Sequence, residues 1–201
     1  MSDDASRLAR AIAAIDAANA DDPETIDVGG ETRPKEQAHA EMMTAWVQRL
    51  DPDPTAAQLL AARAHHLRRW SIPRSSYPDG RSGYLRWRTA LKKQHASDVA
   101  AILGREGFAS DLIEQVQQIV RKDGLGTDPM VQVHEDALCL VFLETQLDDL
   151  AARLGDDKTV DVMRKTVAKM SERGIAAALA LDLSSHAISL VGRAMAPVEK
   201  S

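Results

Sequence analysis

Asp128-Pro129-Met130-Val131-Gln132-Val133-His134-Glu135-Asp136-Ala137-Leu138-Cys139-Leu140-Val141-Phe142-Leu143-Glu144 is the stretch whose reading decides the fold. Asp128 followed by Pro129 is a helix-start signal, an N-terminal acid with proline in the first turn. Asp136 then heads an inward stripe in which Leu140, Leu143, Leu147 and Leu150 follow at helical spacing, and the helix stops near Gly155. A carboxylate at the head of such a stripe points to the interior. There it is paired or binds a cation, because desolvating it alone is costly.

Working outward, three more stripes carry an imidazole in the same manner. His39 lies with Met43, Trp46 and Leu50; His66 lies with Leu59, Ala62 and Trp70 and has His65 beside it; His95 lies with Leu91, Val99 and Ile102. The helices expected around them run over about 5–20, 35–50, 53–70, 83–105 and 110–124, then from 128 to 155, 158–172 and 175–193. The stretch 21–34, with two prolines and Gly29-Gly30, reads as a surface loop. No Val/Ile/Thr-rich alternation argues for a sheet. The fold expected is therefore all-α, with the first 34 residues as a helix and wrapping loop, 35–155 as the core, and 156–201 as C-terminal helices packed on it in one domain.

Composition agrees. In 201 residues the apolar share is 44% and the aromatic share only 3%, which suits one helical domain with a proper core. A net charge of −5 excludes a generic polyanion binder, so nucleic acid is not the favoured partner. A single Cys139 in an apolar helix implies no disulfide framework. No apolar run is long enough for a membrane span, and Met1-Ser2-Asp3-Asp4 lacks a signal-peptide pattern, so a cytoplasmic location is expected.

Metal sites in helical proteins gather ligands from facing helices. His39, His65, His66, His95 and Asp136 come from four helices and are the candidate ligands. Imidazole and carboxylate donors suit one divalent ion of manganese, iron, cobalt, nickel or zinc. His134 and His186 read as ordinary residues, since neither leads an apolar stripe as cleanly. Between Arg63 and Lys93 lie nine basic residues against the single acid Asp79, together with Trp70, Tyr77, Tyr84 and Trp87. Prolines at 73 and 78 and Gly80 make 71–82 irregular, and this basic loop leaves just past His66 and returns before His95. Arginine forks match phosphate and carboxylate oxygens. Arg69, Arg74, Arg81, Arg88 and Lys122 are therefore candidates to hold a small anionic substrate. Glu135 and Glu36 are candidate general bases, Glu36 lying one turn before His39 on its face.

In their order these features resemble the HD-domain superfamily of metal-dependent phosphohydrolases. There, a histidine on one helix precedes a His-Asp pair, and a late aspartate closes the site. His39 takes the first place, His65-His66 the pair, His95 through Phe108 the middle region, and Asp136 the last place, over about Lys35 to Asp149. Within that superfamily the chain more closely resembles the domain-of-unknown-function family DUF4202. The carriers are Arg69-Trp70-Ser-Ile-Pro-Arg-Ser-Ser-Tyr-Pro78, Gly83-Tyr-Leu-Arg-Trp-Arg88, Lys92-Lys-Gln-His95 and Glu135-Asp-Ala-Leu-Cys-Leu-Val-Phe-Leu-Glu144. The resemblance implies an HD-like helical bundle and a metal-dependent hydrolase of a small, phosphorylated anion. His66 stands where the superfamily has the metal-bridging aspartate, so one ion is expected rather than two. Two rival expectations are a non-catalytic HD-like domain binding a ligand or RNA through the basic loop, and an HD-type iron oxygenase.

Overall fold

Local capping chemistry explains where several helices begin. The computed structural model describes residues 3–196; Met1, Ser2 and residues 197–201, which hold the start of the acidic N-terminus and the end of the C-terminal segment, lie outside it. The elements are α1 (Asp3–Asn19), β1 (Thr25–Val28), β2 (Glu31–Pro34), α2 (Lys35–Leu50), α3 (Ala56–Arg63), α4 (Gly80–Arg105), α5 (Ser110–Arg121), α6 (Pro129–Leu154), α7 (Asp156–Val167), α8 (Glu172–Leu179) and α9 (Ser185–Met195), with short 3-10 turns at Arg69–Ser71 and Arg74–Ser76. The class is all-α. Asp128 opens α6 as its sequence implies, its Oδ1 accepting from the Met130 and Val131 amides.

Three expectations about elements are corrected. The stretch 21–34 is not only a loop: β1 and β2 pair antiparallel, with Val28 opposite Glu31. Gly29 and Gly30 both have positive φ, the conformation a tight two-residue hairpin turn demands. The third helix does not run from Asp53 to Trp70. Thr55 caps it in a reciprocal box with Gln58, and it ends at Arg63. Arg68 then adopts the left-handed conformation, and its amide donates to Asn19 Oδ1 on α1. His65 and His66 consequently sit in the turn after α3 and not on it. The last expected helix is two, α8 and α9, because Ser184 caps a fresh start by accepting from the Ala187 amide.

The chain divides into two compact units, Met1–His134 and Glu135–Ser201, the boundary falling within α6. In the first unit α3 packs against α1, α2 and α5, and α4 against α1 and α5. Its core gathers Ala11 and Ile15, Leu60 and Leu67, Val99 and Leu103, Val116 and Ile119, and Val131. Each large aliphatic side chain taken wholly out of water there contributes ~1.5–3 kcal/mol. Arg63 clamps α3 to α1 through a two-pronged contact with Asp16, at 2.5 and 2.7 Å, and Arg33 does the same for Glu41 of α2 at 2.8 and 2.7 Å. In the second unit α7 packs on α9. No helix among the described residues is long and apolar enough to cross a membrane.

Candidate functional site

All five ring-bearing or acidic candidates of the first unit meet at one place, and a ring the sequence did not single out joins them. Glu36 and His39 occupy successive turns of α2, His65 and His66 the turn after α3, His95 the middle of α4, and His134 the first part of α6. The His65 and His66 rings lie 3.8 Å apart, His66 and His95 5.7 Å, and His65 and His134 5.1 Å. His134 is buried, with its Nε2 3.1 Å from His65 Nδ1. Its spacing of three from Val131, which is fully buried, is the signal by which it could have been found.

The polar partners fix which nitrogens carry hydrogen. His66 Nδ1 lies 3.0 Å from Glu36 Oε2, and a carboxylate only accepts, so Nδ1–H donates. His95 Nδ1 donates in the same way to the Leu67 carbonyl at 2.8 Å. His39 turns Nδ1 toward Glu36 Oε2 at 3.7 Å. The Nε2 atoms of His39, His65 and His95 and Nδ1 of His134 are buried with no hydrogen-bond partner.

Burial sets the charge state of these rings. It lowers His66 to about 3, with the Glu36 carboxylate pulling the other way and Arg69 and His95 adding to the depression. It lowers His134 to about 3 as well, helped by the Lys122 charge. His65 is held well below its ordinary value by burial and by its neighbours His66, His134 and Lys122. His95 is lowered by burial, against the Leu67 carbonyl. For Glu36, burial alone would raise the carboxyl, but His66 and His39 outweigh it and hold it below the usual carboxylate range. At neutral pH the rings of His65, His66, His95 and His134 are neutral and face one carboxylate. His66 and His95, with Nδ1–H committed, then present Nε2 as a lone pair.

Arg69 completes the arrangement. Its Nη1 donates to His66 Nε2 at 3.4 Å, its Nε lies 3.7 Å from Glu36 Oε1, and its guanidinium rests over the Trp87 ring at 4.8 Å. A cleft of about 380 Å³ opens beside them, lined by Glu36, Arg69, Trp70, Arg74, Trp87 and Lys35 among others. The Glu36 backbone N–H is held by Asp22 Oδ2 at 2.9 Å, which anchors the start of α2 at this edge.

The other basic candidates lie in different settings. Arg74 donates to the carbonyls of Tyr77 and Pro78, closing its own loop. Arg88 lies over the Tyr84 ring, and Arg81 is exposed in the first turn of α4. Lys122 has a left-handed backbone at the end of α5, and its charge acts on His65 and His134. Glu135 and Asp136 belong to the second unit. Glu135 faces Lys169 at 3.7 Å. Asp136 accepts from the Ser171 amide at 2.9 Å and from the Ser171 hydroxyl, at the start of α8. Gly174 makes this approach possible, since a Cβ there would come 2.6 Å from Asp136 Cγ.

The donor set is of metal-ligand chemistry. Yet among the described residues no three His, Cys, Asp or Glu are arranged to hold a metal ion. Comparison with curated proteins and with solved structures returns no match. A family model described as "Domain of unknown function (DUF4202)" matches residues 9–191, a span that takes in the entire imidazole cluster, and the chain belongs to that family.

Proposed function

We propose that the imidazole cluster of the first unit binds one divalent transition metal and that the protein is an HD-type, metal-dependent hydrolase of a small phosphorylated anion. The observation that carries this reading is the set of buried, unpartnered nitrogens at His39, His65 and His95. A buried polar atom without a partner costs ~1–3 kcal/mol, and several in one cluster favour a ligand that accepts their lone pairs. Neutral imidazoles are the form that ligates a metal.

His39, His65, His66 and His95 would hold the ion. Glu36 and the Leu67 carbonyl grip the Nδ1–H of His66 and His95, the outer contacts that orient ligating histidines. This makes Glu36 a positioning acid: a carboxyl held below its usual range is a weak general base. When bound, a divalent ion supplies Lewis acidity at the ester. Arg69, at the wall of the cleft, would pair with phosphate oxygens.

A second reading, metal-free binding of an anion, is favoured by the contact of Arg69 with His66 Nε2, which satisfies that lone pair without a metal. Elemental analysis and calorimetric titration with manganese, iron, cobalt, nickel and zinc separate the two. The metal reading expects about one equivalent bound, an affinity loss of at least ~10-fold in His95→Ala, and phosphate release from a panel of esters only with metal present. Wild-type protein that takes up none of these ions at micromolar concentrations would leave the anion-binding reading alone.

A further inference from the structure

We infer that the outer face of α4 is a docking surface for an acidic segment of a partner protein, one that carries an aliphatic side chain between two carboxylates. This face shares no lining residue with the cleft beside the imidazole cluster, and the inference does not rest on the hydrolase reading.

Helix α4 carries two stripes. Trp87, Leu91 and His95 follow at a spacing of four and form its buried side. Arg81, Leu85, Thr89 and Lys93 follow at the same spacing but turned away from it, all exposed, with Arg86 beside them seven residues before Lys93. A shallow hollow of about 370 Å³ lies on this face, lined by Leu85, Arg86, Thr89, Ala90 and Lys93. Leu85, 52% exposed, and Ala90 give it an apolar lining. Arg86 and Lys93 bracket it, two turns and about 10 Å apart along the axis.

The fold leaves the charge of this face unmatched. Among the described residues, none of Arg81, Arg86, Arg88, Lys92 and Lys93 meets a carboxylate, whereas Arg7, Arg10, Arg33, Lys35 and Arg63 of the same unit each do. Arg88 rests over the Tyr84 ring and Lys92 donates to the Arg121 carbonyl, so Arg81, Arg86 and Lys93 are the cations open to a partner. Charge complementarity then selects an acidic one. The positive face is about 18 Å long from Arg81 to Lys93, in a chain whose net charge is −5. At physiological salt charges act over ~8 Å, so a short acidic segment laid on the face meets its cations alone. A nucleic acid would run on over an acidic molecule. An apolar lining between the cations also offers nothing to a phosphodiester backbone. It removes an aliphatic side chain from water while the flanking carboxylates reach Arg86 and Lys93.

Fluorescence anisotropy of a labelled peptide of four Glu-Leu-Glu repeats, titrated with the full chain, tests this. Wild type is expected to bind it with a Kd below ~1 mM, and at least ~5-fold more tightly than a peptide of Glu-Ser-Glu repeats or an oligouridylate of the same length. Arg86→Glu combined with Lys93→Glu should weaken binding at least ~10-fold, like charges now facing each other, with thermal unfolding unchanged. Leu85→Asp, which keeps every cation, should weaken it as well. Equal affinity for the serine peptide overturns the inference, because charge alone would then suffice. Tighter binding of oligouridylate overturns it in favour of nucleic acid. Binding that survives the double substitution places the peptide elsewhere, and wild type that shows none up to ~1 mM leaves the face to solvent; both overturn it as well. Should the double variant not fold, Arg86→Gln with Lys93→Gln carries the same comparison.

Discussion

At the scale of single residues, the His134–His65 pair is the contact whose loss is easiest to read. Replacing His134 by Ala leaves His65 Nδ1 without its 3.1 Å partner, in a ring whose Nε2 already has none. We expect a destabilisation of ~1–3 kcal/mol from the stranded nitrogen, more if a cavity forms. Urea unfolding measures it, and a change under ~0.5 kcal/mol would show that the pair is not buried as described. Glu36 and His39 were legible in the sequence because helical spacing alone puts them on one face. His134 was not, because it leads no apolar stripe as clean as that of Asp136. The arginines show a different limit. Their charge is plain in the sequence, but Arg63 meets Asp16 of α1 and Arg74 meets two carbonyls of its own loop, and only tertiary proximity selects those acceptors.

At the scale of elements, the basic loop is closed on α4 at Gly83. A Cβ at this position would lie 1.8 Å from the Pro78 carbonyl oxygen, which also accepts from Arg74. Helix propensity favours Gly83→Ala by ~1 kcal/mol, but a collision with backbone cannot be relieved by a side-chain rotation. The substitution should therefore destabilise, by about 1–3 kcal/mol, and loosen the cleft wall formed by Trp70 and Arg74. Thermal unfolding checks the sign: a stabilised variant would mean the loop is not seated on α4. Helices α2, α4 and α6 could be placed from sequence because proline, glycine and capping side chains mark their ends. The hairpin could not, its strands being four residues long with no alternation, although two consecutive glycines were its mark. The early end of α3 depends on Asn19, distant in sequence, receiving the Arg68 amide.

At the scale of the whole molecule, the buried rings tie stability to pH. The unfolded chain protonates its histidines near 6.5, whereas folded His134 and His66 do so only at about 3 and His65 well below its ordinary value. Between these values the unfolded state binds more protons. Stability is thus complete above ~6.5 and falls on acidification by up to ~1.4 kcal/mol per pH unit for each such ring. Glu36, displaced below its ordinary value, adds a loss of the same sign only at lower pH, below the usual carboxylate range near 4.5. Urea midpoints should decline steadily from about pH 7 to about pH 5, and a flat profile would mean that the rings are hydrated. The all-α class followed from composition and periodicity, while the imidazole meeting point needed the turn after α3, which no local pattern announced. The stacking of Arg69 on Trp87 also makes the protein its own optical probe. Trp46 lies under Arg49 at the same 4.8 Å, whereas the indole of Trp87 carries the guanidinium that also reaches His66. Ultraviolet emission of the unlabelled chain therefore reports on this edge of the cluster through Trp87, together with Trp70, which lines the same cleft.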